Sequence, residues 1–139
     1  MLRYSLVIAL ETLGQFLILA QGVPIYRSVI QGETFETQAP LGVAVYVILG
    51  ACLIQAGYWS NFRVGAEIST GRNVLVGHVI LALGRLNFIF VSGMFSVVFF
   101  LRYEIVNFTL LNIVLLIVSL FSGFCYTLEL ERLAKKLGA

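Results

Sequence analysis

The sequence predicts an all-α integral membrane protein, a four-helix transmembrane bundle with its N and C termini in the cytoplasm. Three observations carry that expectation. Of 139 residues, 60% are apolar and 12% charged, with a mean hydropathy of +0.98, where a soluble domain would carry roughly a quarter charged residues. The apolar residues come in runs of roughly twenty, the length that crosses a hydrocarbon core of about 30 Å at about 1.5 Å per residue. The basic residues divide unequally: Arg3, Arg63, Arg72, Arg132, Lys135 and Lys136 fall on the side of the termini, and Arg27 and Arg102 on the other. Cytoplasmic loops retain Lys and Arg, so the first side is expected to be cytoplasmic, as in a bacterial inner membrane.

Each element follows from local chemistry. The spans are expected at about 2–21, 41–59, 74–101 and 105–128, with an amphipathic cytoplasmic tail over about 129–139, all in one transmembrane domain. Gly22 and Pro24 are expected to end the first span, because proline supplies no amide hydrogen to a continuing helix. Glu11 interrupts what would otherwise read as the apolar core of a signal peptide, and Ile18 is large for the position before a cut near Ala20. A retained first helix is therefore expected. The loop over 23–40 is the longest, its first half suited to the interface. Tyr58 and Trp59 mark the end of the second span at headgroup level. The third run is longer than a bilayer is thick, which predicts tilt or a protruding turn. Arg102, Tyr103 and Glu104 then turn the chain into a tight hairpin with the fourth. The tail alternates acids and bases around Leu130, Leu133 and Leu137 and should extend the fourth helix into water or along the headgroups.

Composition also excludes. The net charge of +2 and pI near 8.7 arise from scattered bases with no aromatic interleaving, so no nucleic-acid partner is expected. One histidine, no aspartate and two separate cysteines, Cys52 and Cys125, give no ligand set for a metal or another cofactor within the chain, and the expected depths of the cysteines make a disulfide between them unfavourable. The stretch Gly65 to Asn73, GAEISTGRN, has neither the spacing nor the lysine of a phosphate loop. No nucleophile elbow, HExxH or paired acids on one helix supports catalysis.

Chemistry concentrates inside the spans. Glu11 and Arg85 each enter from the cytoplasmic side by about nine and eleven residues, which places them at similar depth and makes an ion pair between the first and third helices the expectation. Both stand in stripes at seven-residue spacing, Tyr4, Glu11, Gln15 and Gly22 on the first helix and His78, Arg85, Ser92 and Ser96 on the third. Asn112, Ser119 and Tyr126 form a weaker stripe on the fourth. Such stripes should face one another away from lipid. Read functionally, this intramembrane polar seam of Glu11, Gln15, His78, Arg85 and Ser92 moves protons or a small solute. Read structurally, Glu11 and Arg85 are a packing ion pair. As a third possibility, Arg85 meets an anionic lipid or a partner's carboxylate.

Gly50 and Gly57 on the second helix, and Gly77 and Gly84 on the third, recur on one face and are expected to let helix backbones approach within the chain, more than to form a dimer contact. Phe88, Phe90, Phe95, Phe99, Phe100 and Phe108 surround the outer half of the last hairpin, where they suit lipid or a flat ligand such as a quinone. Since most of the chain is span, the leading expectation is a non-catalytic accessory, assembly or stabilising subunit of a larger membrane complex. Its partners would be the lipid bilayer and a membrane protein or further copies of itself. The competing expectation is a small oligomeric transporter or channel using the Glu11, Arg85 and His78 seam.

Overall fold

The computed structural model describes residues 2–32, 41–64, 71–101 and 109–139. They form four helices, α1 (Leu2–Gln31), α2 (Leu41–Val64), α3 (Val74–Ser96) and α4 (Leu110–Leu137), with a π-helical turn, Val97–Leu101, continuing α3. All four are long and apolar enough to cross a membrane, as chains must whose backbone polar groups find no water in lipid.

α1 does not stop at Gly22 and Pro24; it runs through Pro24 to Gln31. Ending there would leave a turn of backbone carbonyls and amides unpaired at membrane depth, whereas one missing amide hydrogen is a smaller loss in an otherwise continuous helix. The stop is Gly32, whose φ of 77° is the left-handed conformation glycine adopts without strain, and whose amide bonds back to the Val29 carbonyl at 3.2 Å. At 30 residues, α1 exceeds what the hydrocarbon thickness requires. α2 likewise continues past Trp59, whose indole N–H donates to Gln55 Oε1 at 2.9 Å. α3 begins where expected, with Asn73 as its cap: the side-chain oxygen accepts from the Val76 amide at 3.2 Å. α4 begins at Leu110, capped by Thr109. The expected turn at Arg102 to Glu104 lies outside the described residues, as do the expected first residues of the fourth span and Phe108.

The bundle is two antiparallel hairpins, α1 with α2 and α3 with α4, joined chiefly along α2 and α4. Each hairpin closes on small residues. A β-carbon at Gly14 would stand 2.5 Å from the Gly50 carbonyl oxygen, and one at Gly50 would stand 2.5 Å from that of Gly14. The two backbones thus touch, which only glycine on both sides permits. On the other hairpin, Gly77 faces the Ala134 carbonyl and Ala139, and Gly84 faces Leu130. The glycines of α2 and α3 therefore serve contacts within the chain, but with α1 and α4, and not with each other. Between the hairpins, Ile18, Ala51, Ile54, Cys125, Tyr126 and Leu130 make the main apolar core, and Ala44, Val47 and Leu115 a second one toward the other end.

The tail extends α4 as one helix, with Lys135 and Lys136 exposed on one side and the other side packed against the bundle. Glu129, Leu130, Ala134 and Leu137 are buried, and the Leu137 carbonyl accepts from the Asn73 amide at 3.1 Å, so the end of α4 locks onto the start of α3. Gly138, at φ 102°, closes the helix by returning its amide to Ala134 and Lys135. The beginning of α1 and the end of α4 consequently share one end of the bundle.

Candidate functional site

The interior of the bundle is a column of polar side chains. At the end where α1 begins, Glu129 of α4 is 1% exposed; its Oε1 accepts from Tyr4 Oη of α1 at 3.0 Å and from Asn61 Nδ2 of α2 at 2.9 Å. Its Oε2 lies 3.8 Å from Arg132 Nη1, one turn further on. Three helices are thus tied at one carboxyl group. Deeper in the bundle, Tyr126 and Thr12 approach to 3.0 Å, and because Thr12 gives its own hydrogen to the Ile8 carbonyl, Tyr126 is the donor. Gln55 of α2 donates to Ser122 Oγ and Cys125 Sγ of α4 at 3.4 and 3.5 Å.

A second crossing links the hairpins through amides. Asn87 Nδ2 donates to the Gly123 carbonyl at 3.2 Å and to Thr127 Oγ1 at 3.0 Å. That commitment turns Asn87 Oδ1 toward α1, where it accepts from Gln15 Nε2 at 2.9 Å. Gln15 Oε1 is left on the opposite side, buried and without a partner. Breaking this crossing has a measurable cost: Gln15→Leu and Asn87→Leu are each expected to destabilise, and a double-mutant cycle should give a coupling energy of about 0.6 kcal/mol, with a ceiling near about 1.7 kcal/mol. Steric-trap or denaturant unfolding in lipid nanodiscs reads it; strict additivity would mean the amides do not interact.

Glu11 is the most enclosed of these groups, 0% exposed, and neither carboxyl oxygen has a hydrogen-bond partner. Its side chain lies against Gly57 of α2, in the space that a β-carbon would otherwise fill. The expected ion pair with Arg85 is not formed. Arg85 is exposed on α3, and the α3 side chains that reach α1 are others: Asn87 by its hydrogen bond to Gln15, and Phe90 and Met94 by packing on Tyr26 and at Gly22. The reason is rotational: Gly77 and Gly84 are the buried residues of α3 and seat it on α4, and Arg85, one residue after Gly84, points about 100° away from that contact. Equal depth placed Glu11 and Arg85 at one height but said nothing about which way each helix turns.

His78 and Ser96 are exposed and Ser92 is half-buried, so the whole expected stripe of α3 lies on a flank of the bundle and not in its interior. Of the expected seam, the structure brings Glu11 and Gln15 together with Tyr4 inside, and leaves His78, Arg85 and Ser92 outside. The interior groups that sequence reasoning passed over are Gln55, Asn61, Asn87, Thr127 and Glu129. Asn87 was recoverable, because it falls three residues after Gly84 and ten after Gly77, on the glycine face of α3. Glu129 carried no such signal, since it stands among the alternating charges of the tail. Of the expected aromatic cluster, Phe95 stacks on Phe99 at 5.4 Å, while Phe88 meets Phe124 of α4 at 5.3 Å and Phe90 meets Tyr26 of α1 at 6.5 Å.

Comparison with protein-family models, curated protein sequences and solved structures returns no match. Fold and site define the class: a multi-pass membrane protein whose four helices enclose a hydrogen-bonded polar column and carry Arg85 on the outer flank of α3.

Proposed function

We propose that this protein is a non-catalytic accessory subunit of a larger membrane complex, docked on its partner through the outer flank of α3. The observation that supports this is the exposure of Arg85 at membrane depth. A guanidinium at the centre of a span costs roughly 2.5 to 3.5 kcal/mol on insertion scales, and such residues pair or face a polar cavity. Among the described residues Arg85 has no ion pair or hydrogen bond, and His78 and Ser96 continue its stripe along the same flank. Only 11% of the α3 span is buried within the chain, against 28–33% for the other three. A helix so uncovered, with a charge on its open side, suits a second membrane protein that presents a carboxylate at the same depth. The bacterial inner membrane, with both termini cytoplasmic, suits the distribution of bases along the chain.

The transporter reading has less support, because its three residues do not line one path: Glu11 is enclosed between α1 and α2, while His78 and Arg85 face outward. The test is purification of the tagged protein from native membranes in mild detergent. The wild type is expected to bring a larger membrane protein with it in fixed stoichiometry. Arg85→Gln should weaken that association by roughly thirtyfold or more, the effect of removing one member of a desolvated charge pair, while circular dichroism and melting of the isolated protein stay unchanged. A wild type that purifies alone, or a partner retained in full by Arg85→Gln, refutes the reading.

A further inference from the structure

We propose that Glu11 and Gln15 form a binding site for one small cation inside the bundle, separate from the outer flank of α3, with a proton as the expected occupant. The argument starts from a shortage of donors. Three oxygens, both of Glu11 and Oε1 of Gln15, are buried and unpartnered, and the two side chains are one helical turn apart on the same face of α1. Glu129, by contrast, has Tyr4, Asn61 and Arg132 beside it.

Among the described residues, nothing facing Glu11 supplies a positive charge. On its own helix the near titratable group is Tyr4, and from α4 they are Cys125, Tyr126 and Glu129. Tyr4 gives its hydrogen to Glu129, and Tyr126 gives its own to Thr12. α2 presents Gly57, which has no side chain. Arg132 lies against Glu129, and the basic residues of α3, His78 and Arg85, are exposed on its outer flank. An isolated ionised carboxylate in such a place is among the most costly arrangements a protein can hold.

A bound cation removes the shortage. With a proton on Glu11 the carboxyl becomes a donor, and Gln15 Oε1, one turn on, is an acceptor that has none. The Gln15 amide would then accept on its oxygen while donating through Nε2 to Asn87, and each bond polarises the other. Occupancy of the site thereby strengthens the crossing between the two hairpins. A monovalent metal ion would satisfy the same oxygens by the same attraction. A proton is the expected occupant because it needs a single acceptor, and among the described residues no group of three or more His, Cys, Asp or Glu side chains gathers to hold a metal.

Infrared spectroscopy of the full chain in lipid nanodiscs at neutral pH tests this. The expected spectrum contains the carbonyl stretch of a protonated carboxyl that Glu11→Gln removes, and that variant, which keeps the shape and supplies its own donor, should melt at or above the wild-type temperature. If the band is absent but melting of the wild type rises with sodium or potassium concentration, and Glu11→Gln does not respond, the occupant is a metal ion and the site stands. A wild type with neither the band nor a cation response overturns the proposal, as does a band that survives in Glu11→Gln. Should that variant fail to fold, Glu129→Gln and the cation titration decide: a band retained in Glu129→Gln supports Glu11, the other buried carboxyl among the described residues, and a band lost in Glu129→Gln with no cation response overturns the proposal.

Discussion

Replacing Gly50 with leucine is expected to prevent α1 and α2 from docking, and even alanine there should cost about 3 kcal/mol, the upper end of what overpacking a close contact does. The new β-carbon would meet the Gly14 carbonyl oxygen at 2.5 Å and the Ile18 side chain at 3.0 Å. A flexible side chain would swing aside, but a backbone carbonyl in a helix moves only if the helix moves. Separation of α1 from α2 also opens the face on which Glu11 rests against Gly57 and pulls apart Tyr4 and Asn61, which meet at the Glu129 carboxyl from α1 and α2, so the damage spreads through the polar column. Gly93→Ala is the matched control. Nothing lies within 4 Å of a β-carbon at that position, and a helical glycine exchanged for alanine gains roughly 0.5 to 1 kcal/mol. Unfolding free energies in nanodiscs and the yield of monodisperse protein measure both. A Gly50→Leu protein of wild-type stability would show that the helices do not cross as closely as described.

The second large effect is expected at Glu129. Its removal as Glu129→Ala leaves Tyr4 Oη and Asn61 Nδ2 facing the interior without an acceptor and unties three helices at once, for a loss of about 3 kcal/mol. Arg132 contributes little of this. It sits 3.8 Å away with 37% of its side chain exposed against 1% for Glu129; solvent reaches the guanidinium and Tyr4 and Asn61 hold the other carboxyl oxygen, so the pair is worth about 1 kcal/mol at most and Arg132→Ala should have a far smaller effect than Glu129→Ala. Asn61→Leu should cost about 2 kcal/mol by depriving a buried carboxyl of one of its two hydrogen-bond donors. Recovery of part of the loss is expected only when Tyr4→Phe and Glu129→Leu are both added to it, because Glu129→Leu alone leaves Tyr4 Oη without its acceptor. Equal stability of Glu129→Ala and the wild type would remove Glu129 from the interior.

How much of this was legible in the residues differs from element to element. The four spans were, because the requirement that lipid-exposed backbone be internally bonded acts on each segment separately and leaves a run of apolar residues as its trace. The start of α3 was legible too, for Asn73 caps it by a bond that reaches only three residues. The end of α1 was misjudged, since the local rule that proline stops a helix gives way where an interrupted backbone would have no water to bond. The interior was half legible: Glu11 and Gln15 stand out as polar residues in an apolar run, and they are buried, whereas Glu129 is hidden among charges that look solvated.

By itself, then, the sequence determined the class of solvent, the number of helices long and apolar enough to cross a membrane, and the presence of polar groups that lipid would not tolerate unpartnered. Only the tertiary structure decided which of those groups meet. Depth along a helix follows from counting residues at a fixed rise, but the direction a side chain faces follows from how the helix is rotated in its packing. That rotation is set by contacts distant in sequence, Gly14 on Gly50 and Gly84 on Leu130. One such rotation turned Arg85 out of the bundle and left Glu11 within it.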